Sequence, residues 1–546
     1  MRSVLRLSIV VVALTLPVLM WLASVRHTLP EPVHGALVDL RHPDVLITSE
    51  SLSALPRDLL SIPLLKDVLT EDFAFYYAHN PQRDMIGGTL RRLAFEHQLT
   101  LPDRFIETLL ARPGRLALWR GHDGAPRYWM LVVDTPPAAG LFEAAARIAL
   151  DDTQLSRAGE LAVGPSRADL FALRLDARRT LLVAFHGRRL LVMSDPAMLL
   201  GPVRGDTPAK RRDTRRLLAA ALLAGDDQPL LDGLGLDDEA LRHRVALRAD
   251  FLAFGYQAFF PAIDAIRADF DGQTWRSALR ADLDRMADAG PVWSQLPGQA
   301  AACVALPVDW SALGAIAARN APAEQIDPIV AALDGPMGLC WYGDHPLATP
   351  LAVAGLRAGE TATQARPAFE RLFTQVVGAE EPNHPDGRFP VSRQDTAEAV
   401  HLRRTVSSAY GTAPASAFED SAQLAAARYF TVGLLANGSH VAASPDDALV
   451  QAAVEVAEHR RPAAAEGAPD GTLLARVRPA ALAQLLEAEV MRAVPEDREP
   501  IFHGVARERL LPRLEALAAH PPFDVTLTPD GGGLRWHALQ WTPAPR

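Results

Sequence analysis

The chain has 546 residues, 49% of them hydrophobic and 22% charged, with a formal net charge of −10. That is ample for a packed core and too long for one ordinary domain. Basic and acidic residues are interspersed and no basic stripe carries interleaved aromatics, which argues against a nucleic-acid partner. Two cysteines, Cys303 and Cys340, are too few for a disulfide scaffold or a cysteine metal site.

The N-terminus opens with Arg2 and Arg6, then an uncharged run from Leu7 to Val25, closed by Arg26 and His27. At roughly 1.5 Å per residue the run makes a helix of about 28 Å, close to the hydrocarbon thickness of a bilayer. Pro17 only bends such a helix, and the leading arginines favour a cytoplasmic N-terminus. A cleaved signal peptide is the rival, but Ala23-Ser24-Val25 imitates its cleavage site poorly, because Val25 is branched where a small residue is wanted. The expectation is a signal anchor over residues 1–27, with the body on the periplasmic side of a bacterial inner membrane.

Beyond the anchor the chain repeats itself. The stretch from Val45 (VLITSESLSALP) matches that from Cys303 (CVALPVDWSALG). The hairpin at Trp119-Arg120-Gly121 matches that at Trp341-Tyr342-Gly343. The strands from Thr180, turning at Gly187, match those from Tyr429, turning at Gly438. Each then meets a helix start, Ser194-Asp195-Pro196 or Ser444-Pro445-Asp446, whose residues cap exposed N–H groups. A fourth pair sets His243 onward beside Leu473 onward. The expected fold is α+β: two duplicated halves, 38–295 and 296–546, each a mostly antiparallel sheet with helices on one face. Trp119 and Trp341 are expected to be buried. The runs holding Cys303 and Cys340 are expected on neighbouring strands, as free, buried thiols rather than a disulfide.

Spacing locates an insertion. Ser53 and Ser311 are 258 residues apart, Trp119 and Trp341 only 222, so the first half carries about 36 extra residues near Leu64 to Thr100. The insertion is dense in polar and aromatic side chains, among them Asp67, Glu71, Asp72, Tyr76, Tyr77, His79, Arg91, Arg92 and His97. Glu71 with His79, or Glu96 with His97, supplies the residue types of an acid–base pair. An amphipathic helical hairpin with charges pairing across it explains the same pattern structurally. The nine residues are taken as a candidate binding surface, with no catalytic residue assigned.

The chain lacks a Gly-x-Ser-x-Gly elbow, a His-Glu-x-x-His helix, a phosphate loop and a dinucleotide fingerprint. Asp344-His345 and His122-Asp123 fall in equivalent hairpin turns, where Asp ordinarily bonds its own backbone. No metal or cofactor is expected.

The segment before and through the insertion also carries a resemblance. Pro56-Arg57-Asp58-Leu59-Leu60, the run from Pro63 to Phe73, Tyr76-Tyr77 and Gly88-Thr89-Leu90-Arg91-Arg92 resemble the YfaA-like proteins, a proteobacterial family carried under a domain-of-unknown-function label. The likeness covers nearly the whole chain. It implies no activity and no functional residues, but it implies a genomic setting beside bacterial α2-macroglobulin-like envelope proteins. The resulting expectation is a non-catalytic, inner-membrane-anchored scaffold that holds another envelope protein through the insertion and adjoining sheet edges. The rival expectations are a periplasmic hydrolase with its site between the halves and a lipid- or small-ligand-binding module.

Overall fold

A computed structural model describes residues 39–62, 110–121, 126–135, 155–174, 180–200, 208–252, 257–312, 323–357, 367–371, 373–374, 391–395, 399–407, 429–436, 439–465, 472–493 and 500–544. The apolar run from Leu7 to Val25 and the insertion from Leu64 to Thr100 lie outside the described residues.

The expected architecture, an N-terminal transmembrane helix followed by two α+β halves with a sheet each, is corrected. The described residues form one large antiparallel sheet of 20 strands with few helices. Among them no helix is long and apolar enough to cross a membrane. The physical reason for the discrepancy is that alternation marks a strand and its buried face, while hydrogen bonding along strand edges decides which hairpins share a sheet.

The chain clusters into two compact units. The first contains β1 (Val45–Ser49), β2 (Gly114–Arg120), β3 (Pro126–Asp134), β4 (Leu155–Val163), β5 (Ser166–Arg174), β6 (Thr180–His186), β7 (Arg189–Met193), β8 (His243–Arg248) and most of β9 (Ile263–Phe270). Pairing runs β4-β5-β6-β7-β3-β2-β1-β8-β9, antiparallel throughout. Sequence-adjacent strands meet through tight turns, as at Gly187, whose φ of 57° suits a residue without a Cβ. Helices of this unit include α1 (Leu55–Leu59) and α2 (Pro208–Ala224), which packs on β4, β6 and β7. The core is built from inward residues such as Leu46, Met130, Phe171 and Leu182, each at most 2% exposed.

β10 (Trp275–Asp282) follows β9. The second unit then contains β11 (Ala302–Leu306), β12 (Leu333–Trp341), β13 (Leu351–Leu356), β14 (Ser392–Asp395), β15 (Val400–Ser407), β16 (Tyr429–Ala436), β17 (His440–Ser444), β18 (Thr472–Val477), β19 (Phe523–Leu527) and β20 (Leu534–Pro543). Pairing runs β14-β15-β16-β17-β13-β12-β11-β18-β19-β20, the same succession that relates β4 through β9. Helix α3 (Asp447–Ala457) packs on β16 and β17, and α4 (Pro479–Ala493) on α5 (Leu511–Ala518). Trp119 and Trp341 are both buried, 3% and 5% exposed, near the ends of β2 and β12.

Cys303 and Cys340 are direct register partners on β11 and β12, so their side chains share a face. Their Cα atoms lie 4.1 Å apart and the sulfurs are bonded, which corrects the expectation of free thiols. The disulfide is buried in a cluster with Trp293, Leu296, Leu351 and Val450.

Two strands pair on one side only among the described residues. β4 bonds only β5; it carries a register shift at Arg157/Gly159 and ion pairs of Arg157 with Asp169 and Arg167 with Glu160. β14 bonds only β15, is four residues long, and is exposed throughout.

Candidate functional site

The nine candidate residues of the insertion, Asp67, Glu71, Asp72, Tyr76, Tyr77, His79, Arg91, Arg92 and His97, lie outside the described residues. The polar constellation that can be described lies in the first unit, and its Asp58 stands six residues before that segment. Ser49 ends β1 and His243 begins β8; they are register partners, which turns both side chains to one face. Ser49 Oγ lies 2.8 Å from His243 Nδ1, and His243 Nε2 lies 2.9 Å from a carboxylate oxygen of Asp58, on α1. Arg242 Nε donates to the same carboxylate at 2.7 Å, and the Trp275 indole N–H donates to the Asp58 carbonyl at 3.1 Å.

Partners assign the protons. An ionised carboxylate only accepts, so Nε2 carries hydrogen; in the neutral ring Nδ1 is then the acceptor for the Ser49 hydroxyl. Burial, the largest influence, holds the His243 imidazole below its ordinary value of 6.5 and outweighs the pull of Asp58. For Asp58 burial pushes upward, but the hydrogen bonds from His243 and Arg242 and the Arg242 charge prevail, and its carboxyl titrates below the usual range. The contacts run Ser to His to Asp, the sequence used by serine hydrolases.

Access decides what this relay does. His243 is fully buried, and its ring stacks on Phe270 and Trp275 at centroid distances of 5.8 and 6.3 Å. Ser49 is 5% exposed, and its oxygen already accepts the Ser51 N–H at 2.9 Å. A nearby cavity of about 270 Å3 includes Thr48 and its two register partners, Arg115 and Arg244. Ser49 is also among its lining residues, but its hydroxyl is held between His243 Nδ1 and the Ser51 N–H. The trio is a clamp: it ties α1 to β1 and β8 and satisfies the Ser49 hydroxyl and both ring nitrogens of buried His243.

On the Thr48 face the charges are also spent on one another. Arg244, 2% exposed, meets Asp269 and Asp237 at 2.8 Å and Glu239 at 3.2 Å. Arg115 and Arg189 both reach Asp227, at 2.7 and 2.6 Å. In the second unit Arg476 meets Asp524 across β18 and β19. His345 contacts Asp446 and His401 contacts Asp447, each at 2.7 Å, at the start of α3. Asp446 caps that helix through the Ala448 N–H, so the turn residue Asp344 is not the main partner of His345. His122 and Asp123 lie outside the described residues.

Sequence reasoning missed the Ser49–His243–Asp58 group because its members are separated by 194 and 185 residues. The one available signal was Asp58 itself, which sits in the Pro56–Leu60 stretch that carries the family resemblance.

A protein family described as "Uncharacterized protein conserved in bacteria (DUF2138)" matches residues 3–541. "Uncharacterized protein YfaA" of Escherichia coli (strain K12) is 34% identical over 530 residues, spanning 94% of this chain and 92% of its own length. No solved structure matches the chain.

Proposed function

This chain belongs to the DUF2138 family of conserved bacterial proteins, and we propose that it works as a non-catalytic binding scaffold in the cell envelope. It works at the inner membrane, faces the periplasm, and supports another envelope protein of the α2-macroglobulin-like kind. The observation that carries this reading is the buried Cys303–Cys340 disulfide. Such bonds form and persist in oxidising compartments, the bacterial periplasm among them, and are rare where glutathione and thioredoxin keep thiols reduced. The scaffold half of the reading is supported by the use of polar groups: Ser49, His243, Asp58, Arg244 and Arg476 are engaged in holding strands and helices together.

The test has two arms. In the first, cells are quenched with acid and their thiols alkylated before and after reduction; the reading requires both cysteines to be protected until reductant is added. In the second, tagged full-length chain is recovered from membranes with and without residues 64–100. Partner retention that depends on those residues supports the scaffold, and partner-free chain from both samples refutes it. A hydrolase acting through Ser49 would take a covalent label from a fluorophosphonate probe, lost in Ser49→Ala, and that outcome replaces the scaffold reading.

A further inference from the structure

A different part of the second unit offers a place for a ligand. Strand β12 carries a bulge between Asp334 and Met337, with Gly335 at φ 69°. Beside it lies a cavity of about 670 Å3, within the roughly 300–1,000 Å3 usual for small-molecule sites. Its apolar lining includes Pro307, Val308 and Leu333, and one wall is Trp310. The indole N–H of Trp310 donates to the Gly335 carbonyl at 2.9 Å, which fixes the half-buried ring in place.

Four charged side chains of both signs border this cavity: Arg285, Arg357, Asp327 and Asp334, all exposed. None of the four forms an ion pair among the described residues. The fifth charged residue there, Asp309, is occupied differently: its Oδ1 accepts from the N–H and hydroxyl of Ser311 at 3.0 and 2.5 Å. Elsewhere on the surface Arg393 pairs with Asp395 and Glu370, and Arg167 with Glu160. Here two guanidinium groups and two carboxylates border a space of mixed lining that Trp310 walls on one side, without an ion pair among the described residues.

We propose that this cavity binds a small zwitterion with an apolar body, the chemistry of a short free peptide with hydrophobic side chains. Its carboxylate matches a guanidinium, which presents paired donors to two oxygens at once. Its ammonium matches Asp327 or Asp334 and is also attracted to the face of the Trp310 ring. The aliphatic side chains fill the space over Val308 and Leu333. This inference is independent of the scaffold reading.

The experiment is calorimetric titration of the full chain with leucyl-leucine, its N-acetylated form and its C-terminal amide. Leucyl-leucine is expected to bind saturably, and blocking either end is expected to weaken binding by about tenfold or more, the cost of losing one charge-assisted contact. The variant Arg285→Ala/Arg357→Ala is expected to bind the free peptide and its amide alike. Asp327→Ala/Asp334→Ala is expected to ignore acetylation. All four residues are exposed, so both variants should keep the parent's thermal midpoint, which is measured alongside. Absence of saturable binding up to millimolar peptide overturns the proposal. So does equal binding of all three peptides, or variants that keep the parent's discrimination between them.

Discussion

Arg476 and Asp524 face each other as register partners across β18 and β19, joined by two nitrogen–oxygen contacts of 2.7 and 2.8 Å. Asp524 is 0% and Arg476 4% exposed. Arg244 and Asp269 are likewise register partners across β8 and β9. Such a pair makes a modest net contribution against an apolar replacement, but leaving one charge behind is costly. Asp524→Ala is expected to lower stability by about 3–5 kcal/mol in urea unfolding. A loss below about 1 kcal/mol would mean that water reaches the stranded guanidinium.

The disulfide gives a second expectation. Cys303 and Cys340 are separated by 37 positions, and bridging a loop of that size commonly contributes about 2–4 kcal/mol. Cys303→Ala/Cys340→Ala should therefore unfold at lower denaturant than the parent, and a reducing agent should shift the parent but not the variant. Coincident curves for oxidised and reduced parent would contradict this.

Acid sensitivity follows from the clamp at α1. Burial depresses His243, so the folded chain holds it neutral while the unfolded chain takes up a proton near pH 6.5. Its contribution is complete above that value and is lost as pH falls toward the folded-state value. Asp58 is also depressed, so its share is lost lower, as pH falls from the ordinary carboxylate range. Buried His440, lowered by burial too, acts in the same direction as His243. An NMR titration of the His243 ring should show a midpoint below 6.5; a midpoint above it would mean that Asp58 outweighs burial.

Two glycines provide a contrast. A Cβ at Gly233 would meet the Arg41 carbonyl oxygen at 1.8 Å, which backbone movement alone can relieve. At Gly504, in a helix, nothing lies within 4 Å. Gly233→Ala should destabilise by about 1–3 kcal/mol, as overpacking does. Gly504→Ala should stabilise by about 0.4–1 kcal/mol through loss of unfolded-chain freedom. Equal thermal midpoints for the two would show that Arg41 yields freely.

What the sequence disclosed was local. The alternating run into Trp119 and the turn after it announce a hairpin, because inward and outward residues alternate with period two. The four repeated stretches come to lie on β1 and β11, β2–β3 and β12–β13, β6–β7 and β16–β17, and β8 and β18. What it withheld was register and neighbourhood. That Cys303 and Cys340 occupy adjacent strands was readable; that they face each other was not, since a slip of one residue turns one sulfur to the opposite face. Nothing in the composition near Val45 shows that β1 lies between β2 and β8, and that placement alone brings Ser49 to His243.

The two one-sided strands have a consequence for life in a crowded compartment. Long antiparallel sheets offer unpaired N–H and C=O groups at their ends, where a second copy can dock and begin a fibre. On β4 the bulge at Arg157/Gly159 breaks the regular rhythm of donors and acceptors, and an incoming strand would have to fit beside the Arg157–Asp169 and Arg167–Glu160 pairs. β14 offers only four residues, all wet. Growth by strand addition therefore meets an obstacle at both of these edges among the described residues.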